Sequence, residues 1–406
     1  MDVEPVAPER RLRICAVGDF DGIHTQSWLR YFVQRGHDVH GVSYYAPGSA
    51  SGGPEGVRVH ALRSPPSRGA PDASGRGRGL SARALRALPP SLQRLANLVR
   101  YRRAGIRRVV HDIAPDVLHA HYLVEYGLYA TAAAYHPYVV SAWGSDVLAE
   151  TSPANRAIAR FVLRRADLAT ANNRHMAREM VVTLGKERAW VQHIVLGVER
   201  SFLDLPRPSA NEVADGAPTV ISTRSLDLPF YNVDVIVRAM ARVREQLPAA
   251  RLAVAGEGRL RPQLEALAHQ LGLGEAVRFT GALAQDAFRD VLLGAQVFVS
   301  VPSSDATSVA LLQAMGAGCF PIVSDLPSQQ ELVEDGVQGL RVPVRDERAL
   351  AEAILRALED RELRRAALER NRAFVREYGV LEDNMARMEA WYYRLAGRAG
   401  EAAAGR

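Results

Sequence analysis

Short apolar runs alternate with stretches of helical spacing along the first half of the chain. Leu12–Val17 is an apolar run that ends at Gly18, and residues 24–35 place apolar side chains at helical spacing. His37–Ser43 supplies the next apolar run. Strands that alternate with helices in this way favour a parallel α/β sheet.

The alternation resumes after an interruption. Residues 47–80 are rich in Gly, Pro, Ser and Arg, which predicts a long loop, and the arginine-rich segment 81–108 regains helical spacing. We expect a first domain over residues 1–202, ending near Phe202. Its further strands are predicted at Asp116–Ala120 and Tyr138–Ala142, and its further helices at about 126–135, 153–165 and 173–184.

A polar, proline-bearing stretch over residues 203–218 is typical of a linker. A second alternation follows and predicts another doubly wound α/β domain over residues 219–379. A last helix, residues 380–396, is expected to pack back on the first domain through an apolar stripe. The second domain's strands are predicted at Thr219–Ser222, Arg251–Ala255, Val277–Thr280, Val297–Ser300 and Phe320–Val323, its helices at about 233–246, 260–271, 285–293 and 307–316, and the stripe consists of Met385, Met388, Trp391 and Tyr392.

Composition agrees with a folded, multidomain protein. Of 406 residues, 48% are hydrophobic and 24% charged, which is ordinary for globular chains. No apolar run approaches the roughly 20 residues of a bilayer span, and Met1–Arg13 is charged, so we expect a cytoplasmic protein. Cys15 and Cys319 lie in apolar runs without metal or redox spacing, and we expect both to be buried.

The net charge of +6 is unevenly distributed. Thirteen arginines lie between Arg58 and Arg108, opposed by Asp72 alone. Segment 81–108 could therefore attract an anionic acceptor or make a peripheral membrane contact, and a solvated helix is the alternative. Nucleic acid is not an expected partner, because binding to single strands uses aromatic residues on which bases stack, and Tyr101 is the only aromatic residue in segment 81–108.

Two features of the first domain mark the ends of its strands. The turn Gly18–Gly22 follows a strand and opens a helix, so its amides could hold a phosphate, but it lacks the G-x-G-x-x-G spacing of dinucleotide folds. His119 and His121 flank another strand end. A zinc site would need a third ligand that the neighbourhood lacks, so we expect no metal there and assign His121 to a cleft lining.

Several blocks in a shared order resemble the family 4 glycosyltransferases of the B fold over nearly all of residues 12–395. The resemblance implies two Rossmann-like doubly wound domains that face each other across a cleft. The blocks are Pro115-Asp-Val-Leu-His-Ala-His121, Ser141-Ala-Trp-Gly-Ser-Asp146, Gly197-Val198 with Phe202, Ala255-Gly-Glu-Gly258, Phe279-Thr-Gly281, and Ser304-Asp-Ala-Thr-Ser-Val-Ala-Leu-Leu-Gln-Ala-Met315.

The resemblance implies a donor site in the second domain. The family's two glutamates, eight positions apart, become Asp305, which would address sugar hydroxyls, and Gln313, which would address the ribose. Arg224 matches the family's diphosphate-binding arginine, but the lysine that usually follows is absent, so Arg259 or Arg261 could substitute. From the first domain, the turn residues Gly18, Asp19 and Gly22 are added to the donor site, because their amides could hold the diphosphate. The remaining donor-binding residues of the second domain are Gly256, Gly258, Leu283, Gln285, Ala306, Thr307, Ser308 and Val309.

The resemblance also implies acceptor and catalytic residues in the first domain. We assign acceptor contacts to His24, Tyr126 and Trp143, the last of which replaces a family histidine and could instead pack in the core. Catalytic roles fall to His121 and to Asp146, whose carboxylate could accept a hydrogen bond from a sugar hydroxyl, beside Arg224 and Asp305 of the second domain.

The activity that the resemblance implies is retaining transfer of a sugar from a nucleotide-diphosphate sugar to a glycan, lipid-linked or small-molecule acceptor. No cofactor or metal is expected, since Asp19-Phe-Asp21 has the form of a turn rather than of a metal cluster. Two alternatives stay open. One is a catalytically silent subunit that binds nucleotide sugars, and the other is a sugar-nucleotide 2-epimerase.

Overall fold

The computed structural model describes residues 10–45, 54–63, 88–149, 152–204 and 217–404, with side chains described to residue 398. Most of the expected loop at 47–80, the start of segment 81–108 and most of the linker at 203–218 lie outside the described residues. The chain divides into two compact units. Unit 1 comprises Met1–Ile194 and Asp383–Arg406, and unit 2 comprises Val195–Glu382.

Unit 1 is built on a seven-stranded parallel sheet in the order β3-β2-β1-β4-β5-β6-β7. Helices cover both faces of such sheets, so the central strands are largely apolar and buried. The strands are β1 Arg13–Val17, β2 Asp38–Ser43, β3 Arg58–Ala61, β4 Val117–His121, β5 Tyr138–Ser141, β6 Leu168–Ala171 and β7 Val191–His193. The α-helices are Ile23–Gln34, Pro90–Arg103, Ile106–Ile113, Leu128–Ala130, Pro153–Arg165, Arg174–Val182 and, from Asp383 onward, the C-terminal helix Leu381–Ala404.

Unit 2 carries a six-stranded parallel sheet in the order β10-β9-β8-β11-β12-β13. The strands are β8 Thr219–Ser222, β9 Arg251–Val254, β10 Val277–Phe279, β11 Val297–Ser300, β12 Phe320–Ser324 and β13 Leu340–Val342. The α-helices are Val233–Gln246, Arg261–Gln270, Gln285–Leu293, Val309–Ala317, Pro327–Gln330, Glu347–Glu359, Arg361–Tyr378 and the first residues of Leu381–Ala404. The prediction of two Rossmann-like α/β units is confirmed.

One local prediction was wrong, and a second was right in kind but not in detail. Strand β3 lies inside the stretch expected to be a loop, where Val59 pairs in parallel register with Gly41 of β2. The segment expected to be one helix at 126–135 is helical over Leu123–Ala133, but it is a π-helix at Leu123–Gly127, an α-helix at Leu128–Ala130 and a 3-10 helix at Thr131–Ala133. Ala134 there adopts a left-handed conformation (φ 48°), which ends the helical path.

The boundary between the units lies at Val195 rather than near Phe202. Val195, Val198 and Phe202 pack in one buried cluster with Phe298 and Leu311 of unit 2. The segment therefore belongs to the second hydrophobic core, although it precedes the polar linker in the sequence.

The apolar stripe of the C-terminal helix is a core element, as predicted. Met385, Met388 and Tyr392 are fully buried and Trp391 is 5% exposed. Glu389 on the same helix is also buried and accepts a hydrogen bond from His37 at 2.7 Å. These contacts hold the helix within unit 1.

The buried cysteines are confirmed as well. Cys15 lies in β1 and Cys319 immediately before β12, and burial raises the pKa of both thiols to about 12. Neither thiol is therefore a nucleophile near neutral pH. Among the described helices, none combines the length and apolarity needed to cross a bilayer.

In each sheet the strand order reverses at one point, between β1 and β4 in unit 1 and between β8 and β11 in unit 2. Ligands of open α/β sheets bind beyond the carboxyl ends of the strands at such switch points. The residues that follow these four strands are therefore the first candidates for function.

Candidate functional site

Arg224 follows β8 and reaches across the switch point of unit 2 to β11. Its Nε and Nη2 atoms donate to the Ser300 hydroxyl at 2.8 and 2.6 Å, and Nη2 also forms a salt bridge with Asp305. The guanidinium lies 5.1 Å from the centroid of the Tyr231 ring, and its side chain is 10% exposed. Nη1 makes no hydrogen bond to a described residue. The group is thus fixed in place with one donor edge available.

Asp305 is held on both sides of its carboxylate. Oδ2 meets Arg224, and Oδ1 accepts from the Ala306 amide at 2.9 Å. The loop backbone is fixed too, since Ser328 donates to the Asp305 carbonyl at 2.7 Å and Gln329 donates to the Ala306 carbonyl at 2.8 Å. Asp305 therefore has a set position beside the guanidinium.

The helix Val309–Ala317 begins directly after this loop. Ser308 caps it by accepting from the Leu311 amide at 3.3 Å, so the helix starts two residues later than the sequence predicted. Amides of a first helical turn lack intrahelical partners, and the dipole favours an anion there. Ala306, Thr307 and Ser308 are buried at this start. The arrangement suits a phosphate group.

Gln313 lies on the same helix and is half-buried. Its amide makes no hydrogen bond to a described residue. The side chain can therefore offer a carbonyl acceptor to a ligand without losing an internal bond.

The glycines of the Gly256–Gly258 turn allow the backbone to approach the Arg224 loop. A Cβ at Gly256 would lie 2.0 Å from the Arg224 carbonyl oxygen, and one at Gly258 (φ +156°) would lie 2.2 Å from the carbonyl carbon of Leu226. The Leu226 amide donates to the Glu257 carbonyl at 2.9 Å. The turn therefore supports the position of Arg224.

The two arginines considered as substitutes for the missing lysine are engaged within this region. The Arg259 amide donates to Asp227 Oδ1 at 2.9 Å and its Nε to the Asp227 carbonyl at 3.0 Å. Arg261 forms ion pairs with Glu257 at 2.6 Å and Glu265 at 2.7 Å. Arg224 is therefore the better-placed cation at this switch point.

Leu283 and Gln285 follow β10 on the outer side of the same sheet edge. Gln285 is the exposed first residue of its helix and donates to Glu199 at 3.2 Å, while Leu283 is half-buried. Both remain candidates for contact with a nucleotide base.

Sequence reasoning missed several residues that complete this region. Ser300 anchors Arg224, and the buried hydroxyls of Ser222 and Thr223 at the end of β8 have no partner among the described residues. Such unpartnered polar atoms are rare in folded proteins and point to a ligand or water. Their position at the ends of two apolar strands was the available signal.

Asn232 was also missed. It is buried with φ 53°, and its Nδ2 donates to the Val301 carbonyl at 2.8 Å and to the Ser303 hydroxyl at 3.0 Å, while its Oδ1 accepts from Arg345 at 3.0 Å. Asn tolerates the left-handed region better than most residues. It ties the loop after β11 to the start of helix Val233–Gln246.

In unit 1 the Gly18–Gly22 turn lies against His121. A Cβ at Gly18 would come 3.3 Å from the His121 Cβ, a tight contact that a larger residue could make only if His121 shifted by a few tenths of an ångström. Asp19 is exposed, and its carboxylate accepts from the Asp21 amide at 3.1 Å. The pair is part of the turn, in agreement with the sequence interpretation.

His121 ends β4 and is surrounded by rings. Its centroid lies 4.5 Å from that of His119, 5.3 Å from Trp28 and 5.5 Å from Trp143, and neither ring nitrogen has a partner among the described residues. Burial lowers the pKa of His121 to about 3. The imidazole is therefore neutral near pH 7 and can donate one hydrogen bond and accept another.

The His119 side chain is fully buried and forms hydrogen bonds inside unit 1, so it does not line the surface at the strand ends. It forms hydrogen bonds with Tyr392 and with the Ser141 hydroxyl at 2.7 Å, which in turn contacts Thr170 at 2.6 Å. Burial, with a smaller effect of His121, holds the pKa of His119 well below its usual range. His119 thus orients the ends of β4, β5 and β6.

Asp146 differs from the expected sugar contact. It is 1% exposed, and its oxygens accept from the amides of Leu123 at 2.7 Å, Trp143 at 3.0 Å and Gly144 at 2.9 Å. Burial raises the pKa of Asp146 to about 6, although the hydrogen bonds from these backbone amides act to lower it. Its carboxylate is occupied in shaping the loop that carries Trp143, so we assign it a positioning role.

The proposed acceptor residues lie at the carboxyl edge of the same sheet. Trp143 is half-buried, with the exposed His24 ring at 5.3 Å. Tyr126 is half-buried beside Tyr129 at 6.0 Å, and burial, with Glu125 and Asp19, raises its pKa. These rings provide apolar faces with polar tips.

No group of three His, Cys, Asp or Glu side chains that could hold a metal ion occurs in the part of the chain that the structure describes.

Comparison with known families gives one match for each unit. The model of glycosyl transferase 4-like domains matches residues 13–173, and that of glycosyl transferases group 1 matches residues 208–374.

Curated relatives match over part of their length. The lipopolysaccharide core biosynthesis glycosyltransferase LpsE of Rhizobium meliloti is 32% identical over 177 residues, which is 43% of this chain and 47% of that protein. The phosphatidyl-myo-inositol mannosyltransferase of Mycolicibacterium smegmatis is 28% identical over 186 residues, 44% of this chain and 45% of that protein. An uncharacterized glycosyltransferase of Methanocaldococcus jannaschii is 30% identical over 128 residues, 32% of this chain and 33% of that protein. The chain thus spans between a third and a half of these relatives.

Solved structures share the fold over almost the whole chain. HepE of Anabaena, solved with UDP and glucose, has a TM-score of 0.71 at 17% identity and covers 95% of this chain and 100% of its own. Sucrose-phosphate synthase of Thermosynechococcus elongatus has a TM-score of 0.72 at 18% identity, with the same coverage. The chain belongs to the B-fold glycosyltransferases, with a glycosyl transferase 4-like first unit and a group 1 second unit.

Proposed function

We propose that the protein is a retaining glycosyltransferase that moves a sugar from a nucleoside-diphosphate sugar to a hydroxyl-bearing acceptor. Unit 2 binds the donor and unit 1 binds the acceptor. The observation that carries the proposal is Arg224, fixed by Ser300 and Asp305 at the switch point of unit 2, with no described residue hydrogen-bonded to its Nη1.

Cleavage of a nucleoside-diphosphate sugar develops negative charge on the departing diphosphate. A guanidinium that is already fixed in position before the reaction stabilises that charge without having to reorganise during it. The start of helix Val309–Ala317 adds the positive end of a dipole beside the same loop. Charge neutralisation by Arg224 and helix amides requires no metal ion, and we propose that none is used.

Donor orientation falls to two residues of the same loop and helix. Asp305 accepts hydrogen bonds from sugar hydroxyls while its second oxygen stays on the Ala306 amide. Gln313 accepts from the ribose through its amide carbonyl. The fold neighbour HepE was solved with UDP and glucose bound, which supports a uridine nucleotide as the first donor to test.

Retention follows from a route in which the diphosphate leaves and the acceptor attacks from the same face of the sugar. The departing phosphate oxygen, held by Arg224, then takes the proton from the acceptor hydroxyl. Asp305 is the nearest carboxylate to this cation, and it is engaged with Arg224 and a backbone amide rather than free as a nucleophile.

In unit 1, neutral His121 and the rings of Trp143 and His24 supply acceptor contacts. The His121 imidazole, whose two nitrogens lack partners among the described residues, can bind a hydroxyl as donor or acceptor. Asp146 positions Trp143 through its amide. A glycan, a lipid-linked sugar or a small polyol all present the hydroxyls that this chemistry recognises.

The experiment is incubation of the purified chain with a panel of UDP-, GDP- and ADP-sugars, followed by separation of the nucleotides. A transferase releases the nucleoside diphosphate, by slow hydrolysis when no acceptor is added. Early proton NMR spectra should show the released sugar with the anomeric configuration of the donor. A donor returned with its nucleotide attached and its sugar epimerised would identify an epimerase instead, and binding without turnover would identify a silent subunit.

A further inference from the structure

The helix Pro90–Arg103, named here the basic helix, buries one face and exposes another. Arg94 is buried and donates to Asn155 at 2.7 Å, Asn97 donates to the Tyr129 hydroxyl at 3.2 Å, and Tyr101 stacks on Tyr129 at 4.6 Å. These residues recur at helical spacing on one side. The basic helix is therefore anchored firmly to unit 1.

Its other face carries exposed apolar side chains. Leu92, Leu95 and Val99 are 48%, 45% and 47% exposed. At about 100° per residue they fall on one arc of roughly 100° that also contains Arg102 and Arg103. Helices on the surface of a globular protein usually place polar residues on such a face. This apolar stripe is unexplained by packing among the described residues.

The charge around the stripe is of one sign. Residues 88–111 contain six arginines and no acidic residue. Arg102 and Arg103 end the basic helix, and Arg107 and Arg108 are exposed on the next helix, Ile106–Ile113. Asp112 approaches Arg108 only to 4.0 Å, with both side chains more than 70% exposed. An apolar stripe edged by cations fits the headgroup region of an anionic bilayer.

We propose that the exposed face of the basic helix docks on an anionic lipid membrane. Leu92, Leu95 and Val99 enter the boundary between headgroups and acyl chains, and Arg102, Arg103, Arg107 and Arg108 contact lipid phosphates. The proposed contact is made at the membrane surface, and no helix in the described part of the chain is long and apolar enough to span a bilayer.

Docking has a consequence for the acceptor, and this consequence rests on the proposed function. The buried face of the basic helix carries Tyr101 to the tyrosines that follow β2, with Tyr44 at 5.4 Å. Arg100 stacks 4.5 Å over Tyr44 and donates to Tyr45 at 3.2 Å. One helix thus joins the membrane-facing surface to the carboxyl edge of the sheet in unit 1. An acceptor carried by a membrane lipid would be presented at that edge.

The test is flotation of the full chain with vesicles of phosphatidylcholine alone or mixed with phosphatidylglycerol. We expect binding to the mixed vesicles, little binding to phosphatidylcholine alone, and loss of binding at high salt. A triple variant with L92Q, L95Q and V99Q and a quadruple variant with R102Q, R103Q, R107Q and R108Q should each lower the partition coefficient by about tenfold or more.

Matched control variants remove positive charges or exposed apolar side chains from surfaces outside the basic helix. A quadruple variant with R361Q, R365Q, R370Q and R376Q neutralises four arginines of helix Arg361–Tyr378, and V182Q together with V344Q removes two exposed valines. Both controls should float like the wild type. Circular dichroism and the melting temperature verify that every variant is folded.

Absence of binding to phosphatidylglycerol vesicles, or equal loss in the controls, would overturn the proposal. A second outcome would also overturn the proposal: the wild type is dimeric and does not bind vesicles, and the apolar triple variant is monomeric. That outcome would assign the exposed face to contact with a second copy of the chain. Flotation requires no sugar transfer, so failure of docking and failure of the proposed function are distinguished by testing nucleotide release separately.

Discussion

Arg224 and Asp305 form a salt bridge within unit 2, between the loop that follows β8 and the loop that follows β11. Both side chains are mostly buried, at 10% and 16% exposed. A second anchor, the Ser300 hydroxyl, accepts from both Nε and Nη2 of the guanidinium. The pair therefore aligns a cation for a ligand anion, while Ser300 keeps it in place if the carboxylate is removed.

Asp305→Asn should impair transfer more than nucleotide binding. The variant keeps the shape of the side chain but loses the negative charge of the carboxylate. That carboxylate aligns Arg224 and accepts hydrogen bonds from sugar hydroxyls. Loss of a hydrogen bond to a charged group corresponds to a fall in kcat of roughly 10- to 150-fold. Titration calorimetry with free nucleoside diphosphate should show a smaller change, because Ser300 still holds Arg224. Asp286→Asn, at a carboxylate that is 96% exposed, is the matched control. A larger defect in nucleotide affinity than in kcat would contradict the assignment to the sugar.

Substitutions at Gln313 should separate a ribose contact from a packing role. Gln313→Glu offers a charged acceptor in the same place, so nucleoside-diphosphate affinity should be unchanged or higher. Gln313→Leu deletes the acceptor and should weaken binding by up to about tenfold. The exposed Gln270, changed to Leu, serves as the control. Equal affinities for wild type, Gln313→Glu and Gln313→Leu would place Gln313 outside the nucleotide site.

The pH dependence of stability should report on buried His121. Its pKa is lowered to about 3 from 6.5, so the folded state binds fewer protons than the unfolded state between these values. The stability that neutral His121 contributes is full above pH 6.5 and is lost as the pH falls toward 3. Between pH 7 and pH 5 this loss amounts to about 2 kcal/mol for a buried group. Asp146, with its pKa raised to about 6, acts in the opposite direction over part of that range, so a comparison of variants is needed.

His121→Phe should therefore lose about 2 kcal/mol less stability than the wild type when the pH falls from 7 to 5. Urea unfolding followed by tryptophan fluorescence measures this, because all four tryptophans lie in unit 1: Trp28, Trp143, Trp190 and Trp391. His269→Gln, at an exposed position of unit 2, should behave like the wild type. Identical pH dependence in wild type and His121→Phe would mean that His121 titrates normally.

Transfer should persist in an excess of chelator. The diphosphate is neutralised by Arg224 and by amides at the start of helix Val309–Ala317, all of which act without a cation. Asp19 and Asp21, whose spacing could suggest a metal pair, form a turn through a hydrogen bond from the Asp21 amide to the Asp19 carboxylate. The rate of nucleoside-diphosphate release with and without EDTA checks this. Abolition by EDTA with rescue by magnesium or manganese would move Asp19 and Asp21 into the site.

Much of the fold could be predicted because its strands are buried on both faces and read as apolar runs. The predicted strands Thr219–Ser222 and Val297–Ser300 have the observed bounds. Strand β3 was missed because it lies at the sheet edge, where Arg58 and His60 interrupt the apolar pattern. The segment at Leu123–Ala133 has helical composition, but two left-handed residues, Tyr122 and Ala134, bound it and keep it short.

The sequence allowed several site residues to be identified, but not the contacts that these residues make with each other. Arg224 and Asp305 could be chosen from the sequence, but their mutual salt bridge depends on β8 and β11 being neighbours in the sheet. Asp146 has the residue type of a sugar contact, yet three backbone amides occupy its oxygens. Such amide contacts depend on loop conformation, which carries no periodic signal in a sequence. Ser300 was missed because its role depends on contact with Arg224, although its position at the end of an apolar strand was a signal that the sequence offered.

The central claim is that Arg224 activates a nucleoside-diphosphate sugar for glycosyl transfer. The most direct measurement compares nucleoside-diphosphate release by the wild type, by Arg224→Ala and by Arg238→Ala, an exposed arginine of unit 2, on the best donor of the panel. The account predicts that Arg224→Ala lowers kcat/KM by about 10²- to 10³-fold, as expected for loss of one preorganised donor to a developing negative charge. Arg238→Ala should match the wild type, and circular dichroism should verify that all three proteins are folded at the assay temperature. Release by a folded Arg224→Ala protein at the wild-type rate would contradict the account.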